Sequence, residues 1–86
     1  MRGERTVYLV KKGNEYLQAI IGPEGETDVT KMQQRFSIYL YDAAQIPKAR
    51  IAKQIVMALI QDGDEPWTIV KFDKLSYYAQ EVARCV

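Results

Sequence analysis

Apolar positions change their spacing several times along the chain, and each change marks an element. Thr6-Val7-Tyr8-Leu9-Val10 is a run of β-branched and aromatic residues that suits a strand. Gly13-Asn14 follows, a glycine-first pair that fits a two-residue type II′ turn, and Glu15-Tyr16-Leu17-Gln18-Ala19-Ile20-Ile21 returns as a second strand. This hairpin over residues 5–21 sets Val10 opposite Leu17, Tyr8 opposite Ala19 and Val7 opposite Ile20. Both of its faces carry apolar groups, so the pattern does not decide which face meets the core. Residues 22–31 read as a polar, acidic loop. In residues 34–41, Phe36, Ile38 and Leu40 alternate with Arg35, Ser37, Tyr39 and Tyr41. That period of two predicts a half-buried strand, starting as early as Met32.

The period then lengthens. Pro47 fits the first turn of a helix, where its missing N–H does no harm, and the helical pattern runs to about Gln61. Ile51, Ala52, Ile55, Val56, Ala58 and Leu59 form one apolar stripe, with Arg50, Lys53, Gln54 and Gln61 opposite. Met57 falls in the middle of the polar side. Asp62-Gly63 supplies a C-terminal stop, residues 62–66 form a second acidic turn, and Trp67–Asp73 reads as a strand. Ser76 suits an N-cap. A terminal helix over 76–86 would gather Tyr78, Ala79, Val82, Ala83, Cys85 and Val86 on one side, with Gln80, Glu81 and Arg84 on the other. A helix that short must dock to persist. The predicted order is β-β-β-α-β with a short C-terminal α. It describes one α+β domain over 1–86: a small, mainly antiparallel sheet, made of a hairpin and two further strands, packed against one main helix.

Composition changes this picture little. About half of the 86 residues are apolar and about a quarter charged, as in ordinary globular domains. Twelve Lys and Arg against eleven Asp and Glu leave a net charge of +1, which gives no overall pull toward nucleic acid or anionic membrane. One cysteine, Cys85, offers no disulfide framework. With no signal-like or membrane-spanning stretch in the sequence, this fits the reducing cytoplasm of a bacterial host cell.

The chemistry is more restrictive. The chain has no histidine, which removes the commonest general base and the commonest metal ligand. No catalytic residue, metal site or cofactor is expected. The Gly22-Pro23-Glu24-Gly25 loop is acidic and lacks the lysine of a phosphate loop. Asp62-Gly63-Asp64-Glu65 lacks the spaced ligands of a calcium loop and reads as a solvated turn. Cys85 reads as a small buried hydrophobe.

Candidate binding residues come from the aromatic and charged positions. Six tyrosines occur in the chain, and Tyr39 and Tyr41 are expected on one side of their strand beside Arg35 and Ser37. Such a face has three readings: second-side core under the C-terminal helix, a protein interface rich in Tyr and Arg, or a stacking platform for single-stranded bases. Met57, with Lys53 nearby, is a candidate contact on the helix. Glu24, Glu26 and Asp28 are candidates in the acidic loop.

The layout resembles a loose class of small accessory proteins encoded by phages and prophages of Gram-positive bacteria. The resemblance covers about residues 6–73. It is carried by the tyrosine-bearing hairpin Tyr8-Leu9-Val10-Lys11-Lys12-Gly13-Asn14-Glu15-Tyr16-Leu17, the Phe36-Ser37 strand, the Asp42-Ala43-Ala44 turn, the Ala/Ile-rich helix over 49–59 and the Trp67–Asp73 strand. It implies an accessory role. Some small phage proteins of this size block host defence nucleases by direct binding, and the class has no shared functional motif to transfer. The resulting expectation is a non-catalytic binding protein that inhibits a host defence protein in the manner of an anti-CRISPR, through Tyr39, Tyr41, Arg35, Met57, Lys53, Glu24, Glu26 and Asp28. The alternative is a single-stranded nucleic-acid-binding module using the Tyr/Arg face. A homodimer paired along a strand edge is a further expectation.

Overall fold

Trp67, Thr68, Ile69 and Val70 are four consecutive buried residues, so their strand must lie inside a sheet with both faces covered. The computed structural model, which describes residues 5–85, places this strand second from one edge of a five-stranded antiparallel sheet. The strands are β1 (Thr6–Lys12), β2 (Glu15–Ile21), β3 (Gln33–Ser37), β4 (Trp67–Asp73) and β5 (Tyr78–Cys85), in the order β3-β2-β1-β4-β5. One helix, α1 (Ala49–Leu59), packs on one face, and short 3-10 turns occupy Val29–Lys31 and Leu40–Asp42. The protein is therefore a mixed α+β fold, with the main helix and the Trp67–Asp73 strand where the sequence puts them.

Four expectations need correction. Residues 78–85 form β5, not a helix. A helical terminus would leave the outer edge of β4 without hydrogen-bond partners, whereas β5 pairs with it from Trp67↔Cys85 to Asp73↔Tyr78 around a bulge at Val82. Val86, assigned to the same apolar side, and residues 1–4 lie outside the described residues. The third strand is shorter than expected: it ends at Ser37, so Tyr39 and Tyr41 leave it and Ile38 is 64% exposed. Pro47 precedes the helix, whose N-cap is Lys48, and Ala58 is exposed at the edge of the apolar stripe.

The fourth correction concerns the hairpin. Gly13 takes φ +59° while Asn14 does not turn positive, as a glycine-first turn requires, and Lys12↔Glu15 and Lys11↔Tyr16 pair in the expected register. Beyond them the two strands part. Tyr8 pairs with Ile46 instead of Ala19: its N–H donates to the Ile46 carbonyl at 2.7 Å and its carbonyl accepts from the Ile46 N–H at 2.9 Å. On the other side, the Ala44 N–H donates to the Leu17 carbonyl at 2.9 Å. Residues 43–46 thus fill the fork between β1 and β2 and satisfy both inner edges. The chain passes through this fork from one face of the sheet to the other.

The fork explains why both faces of the hairpin are apolar. Val10, Leu17, Ile46, Trp67 and Ile69 meet Ala52, Val56 and Leu59 of α1 in the main core. Val7, Leu9, Ala43, Val70 and Phe72 form a second core on the opposite face, flanked by Tyr16 and Leu40. Tyr16 is half-buried there, with the Lys11 ammonium 5.5 Å from its ring centre. Burial and then the Glu81 carboxylate push its phenol above the ordinary value. The two sheet edges differ. β3 is short and polar, while β5 is longer and carries Glu81, Arg84 and the Val82 bulge, features that discourage edge pairing.

The loop between α1 and β4 is locked to this frame. Asp64 Oδ2 accepts from the Trp67 indole N–H at 2.9 Å and from the Gln61 backbone N–H at 2.9 Å. Asp64 Oδ1 lies 3.6 Å from the Lys12 ammonium. The residue that the sequence places in a solvated turn is therefore a structural acceptor. These donors, led by the indole, hold its carboxyl below the usual range. A depressed folded-state value means that the charged form stabilises the fold above the ordinary carboxylate pKa of about 3.9. That contribution is lost as the pH falls through the lowered value. Asp64→Asn, which keeps an acceptor but no charge, should fold at neutral pH with lower stability. Its stability should also fall less than that of the wild type as the pH drops below about 3.9, in urea melts followed by Trp67 fluorescence.

The Gly13 turn docks on the same loop, its N–H donating to the Pro66 carbonyl at 2.9 Å. A Cβ at Gly13 would overlap the Glu65 carboxylate, whereas one at Gly63 (φ +86°) would meet nothing within 4 Å. Gly63→Ala should therefore cost only the left-handed backbone penalty, about 1–2 kcal/mol. Gly13→Ala should cost more, and Glu65→Ala should recover part of that excess in a double-mutant cycle.

Candidate functional site

The sequence-predicted residues do not form one face. Arg35 is exposed on the edge strand β3. Tyr39 begins the Leu40–Asp42 turn, which is fastened by the Ser37 hydroxyl donating to Asp42 Oδ2 at 2.6 Å and accepting from the Tyr39 N–H at 3.1 Å. This turn swings Tyr41 away from Arg35 and leaves the Tyr41 ring 79% exposed. The expected Tyr39–Tyr41–Arg35 platform on a flat strand is replaced by a protruding turn. No C-terminal helix covers it. Met57 is 68% exposed on the outer side of α1. Lys53 lines a separate cleft beside the helix.

The acidic loop is partly structural. Glu26 Oε2 accepts from the Asp28 N–H at 3.1 Å, and Asp28 Oδ1 accepts from the Thr30 hydroxyl at 2.7 Å and the Thr30 N–H at 3.0 Å. The Thr30 bonds hold the Asp28 carboxyl below its ordinary range and start the Val29–Lys31 turn. Glu24 is exposed. None of these three lines the cleft described next.

Tyr41 instead meets residues that the sequence reading assigned elsewhere. It shares a cleft of about 180 Å³ with Tyr77, Lys74, Phe72, Leu40 and Leu9 on the second-core face. The floor is rigid, since Leu9 and Phe72 are buried in that core. The rim is exposed: Tyr77 is 69% accessible, with its ring edge-on to Phe72 at 6.1 Å between centroids. Leu75, two residues before Tyr77, is exposed as well.

The β4–β5 turn sets this rim. Asp73 accepts from the Leu75 N–H at 3.0 Å, an Asx-type turn start. The Arg5 guanidinium grips the same carboxylate in two-pronged fashion, at 3.0 and 2.9 Å. Arg5 holds the Asp73 carboxyl well below the usual range. The turn closes on Tyr77 at φ +58°, the one non-glycine residue with positive φ among the described residues. A bulky side chain in this region is an outlier, and such outliers concentrate at functional positions. A glycine would close the turn without penalty, yet the position carries a large ring aimed at the rim of a cleft.

In the sequence Tyr77 falls inside the expected helix over 76–86, and Lys74 and Leu75 lie between elements with no pattern to mark them. Asp73, an aspartate at the end of a strand, was the available turn signal. Among the described residues no three His, Cys, Asp or Glu side chains come together, and no helix is long and apolar enough to cross a membrane. The chain matches no family model, and no curated protein and no solved structure proved similar to it.

Because Tyr77 is held at φ +58°, its substitutions should separate by backbone rather than by size. Tyr77→Ala keeps the left-handed penalty and loses the Phe72 contact. Tyr77→Gly loses the same contact and removes the penalty. Urea denaturation should therefore find Tyr77→Gly more stable than Tyr77→Ala by about 1 kcal/mol.

Proposed function

We propose that this protein is a non-catalytic binder that docks on another protein through the Tyr41–Tyr77 cleft. The observation that carries the reading is Tyr77, kept at a strained turn position with its ring exposed beside Tyr41 over a floor of Leu9 and Phe72. Rigid aromatic rims over a packed floor are the usual anchors of protein interfaces, because they offer large contact area with little side-chain entropy to lose. Ile38, Tyr39 and Leu75, within three residues of the two rings along the chain, are exposed as well. Arg35 on the adjoining edge strand falls outside the cleft and contributes at most at the rim. The absence of histidine from the sequence supports action by occupancy of a partner's surface.

In its sharper form the proposal makes the protein a phage or mobile-element accessory factor. It acts in the bacterial cytoplasm and silences a host defence effector by covering a functional surface. The mechanism is steric, with one protein molecule blocking one target and no turnover.

Affinity capture with the wild-type chain and with a Tyr41→Ala/Tyr77→Gly double variant tests the site. The double variant should keep the wild-type circular dichroism and lose a partner that the wild type retains, with a deficit of at least ~2 kcal/mol, as for a pair of anchor residues. Equal retention by both chains would remove the cleft from the interface. Binding of single-stranded oligonucleotides that weakens steeply with salt would favour the nucleic-acid reading, for which Lys74 beside the two rings is the relevant feature.

A further inference from the structure

The helix face of the sheet is covered unevenly. α1 packs on β1, β4 and the Val29–Lys31 turn, and toward β5 it leaves a cleft of about 350 Å³. Arg50 and Lys53 enter this cleft from the helix and Lys71 from β4. Tyr8, Ile69 and Val82 supply its apolar wall, and Ile69 is buried beneath. This cleft lies on the opposite side of the sheet from the Tyr41–Tyr77 rim.

The charges in it are unbalanced. No carboxylate lines the cleft, and the ion pairs among the described residues, Arg5–Asp73 and Lys12–Asp64, involve none of the three cations. Asp73, two residues along β4 from Lys71, has both oxygens on Arg5. The start of α1 compounds the imbalance. It has no side-chain cap and no acidic residue in its first turn, and its N-cap is Lys48. Cations at a helix N-terminus oppose the macrodipole, and the first backbone N–H groups there also seek an acceptor. An anion in the cleft would meet both these cationic side chains and the uncapped end of the helix.

We propose that this cleft is a binding site for an organic phosphate with a flat or apolar body. The phosphate would lie between Arg50, Lys53 and Lys71, and the body against Tyr8, Val82 and Ile69. Three cations exceed what one carboxylate neutralises and match a phosphate carrying two or more negative charges. The wall has no role for a bare inorganic ion, and its volume lies in the range of small-molecule sites. A nucleic-acid polymer fits less well. The chain has a net charge of +1, and the three cationic residues line one cleft rather than an extended track.

Nitrogen–proton correlation spectra of the full chain, titrated with adenosine diphosphate, test this. The amide signals of Arg50, Lys53, Lys71 and Val82 should move together and saturate with a dissociation constant at or below about 1 mM. Inorganic phosphate should move the same signals with weaker affinity, because it lacks a body for the wall. Lys71→Gln and Lys53→Gln, both at exposed positions, should each weaken the diphosphate by about tenfold or more, as loss of a charged contact does. Both should leave the remaining spectrum in place. The proposal is overturned if the signals stay still at about 10 mM diphosphate, or if inorganic phosphate binds as well as the nucleotide. It is also overturned if binding survives both substitutions, or if affinity rises with oligonucleotide length, which would assign the charge to a polymer.

Discussion

Burying an indole without an acceptor for its N–H costs roughly 1–3 kcal/mol, and this constraint organises the molecule. Trp67 is fully buried, the largest of the residues that are. Its acceptor comes from three residues upstream, Asp64, whose same oxygen also takes the Gln61 N–H. One carboxylate therefore closes the connection from α1 to β4 and fixes where the strand begins. Lys12 completes the junction: its ammonium pairs with Asp64 and sits 5.7 Å from the ring centres of both Trp67 and Phe36. The two rings meet edge to face at 6.0 Å. Strands from three parts of the chain thus converge on one polar contact at the end of the core. Among the described residues, no buried side-chain polar atom lacks a partner.

That junction leaves the rest of the surface free to differ from one side to the other. On the second-core face, the β4–β5 turn and the Leu40–Asp42 turn lift Tyr77 and Tyr41 above a packed floor. On the helix face, cations gather where α1 stops short of β5. The aromatic rim and the basic hollow are separated by the sheet itself. A partner bound at one does not obstruct the other.

Sequence periodicity located α1 and β4 because both obey local rules. Ala52, Val56 and Leu59 recur at helical spacing, and Trp67–Asp73 is a dense β-forming run. It failed where the deciding partner is distant. Residues 78–85 carry a pattern that suits a helix or a strand, and only the open edge of β4 selects the strand. Ile38 alternates correctly with Phe36, yet Ser37 and Asp42 bond to each other and end the strand before it. The site was legible in part. Tyr41 is a candidate contact in the sequence, with its exposure left open, and its neighbour Tyr77 falls inside the expected helix over 76–86. Arg35 was grouped with Tyr41 only through a strand that does not extend that far. In the acidic loop, the carboxylates of Glu26 and Asp28 looked free for a partner because their backbone donors cannot be seen in the sequence.

The fork between β1 and β2 makes the hairpin depend on a distant part of the chain. Near the Gly13 turn the hairpin pairs as its own residues dictate, and nothing local tells it to stop at Lys11 and Tyr16. Continued in its own register the hairpin would set Tyr8 opposite Ala19, and the Tyr8 and Leu17 backbone groups are instead taken by Ile46 and Ala44. Short-range and long-range pairing compete for the same backbone groups, and the arrival of Ile46 resolves the contest.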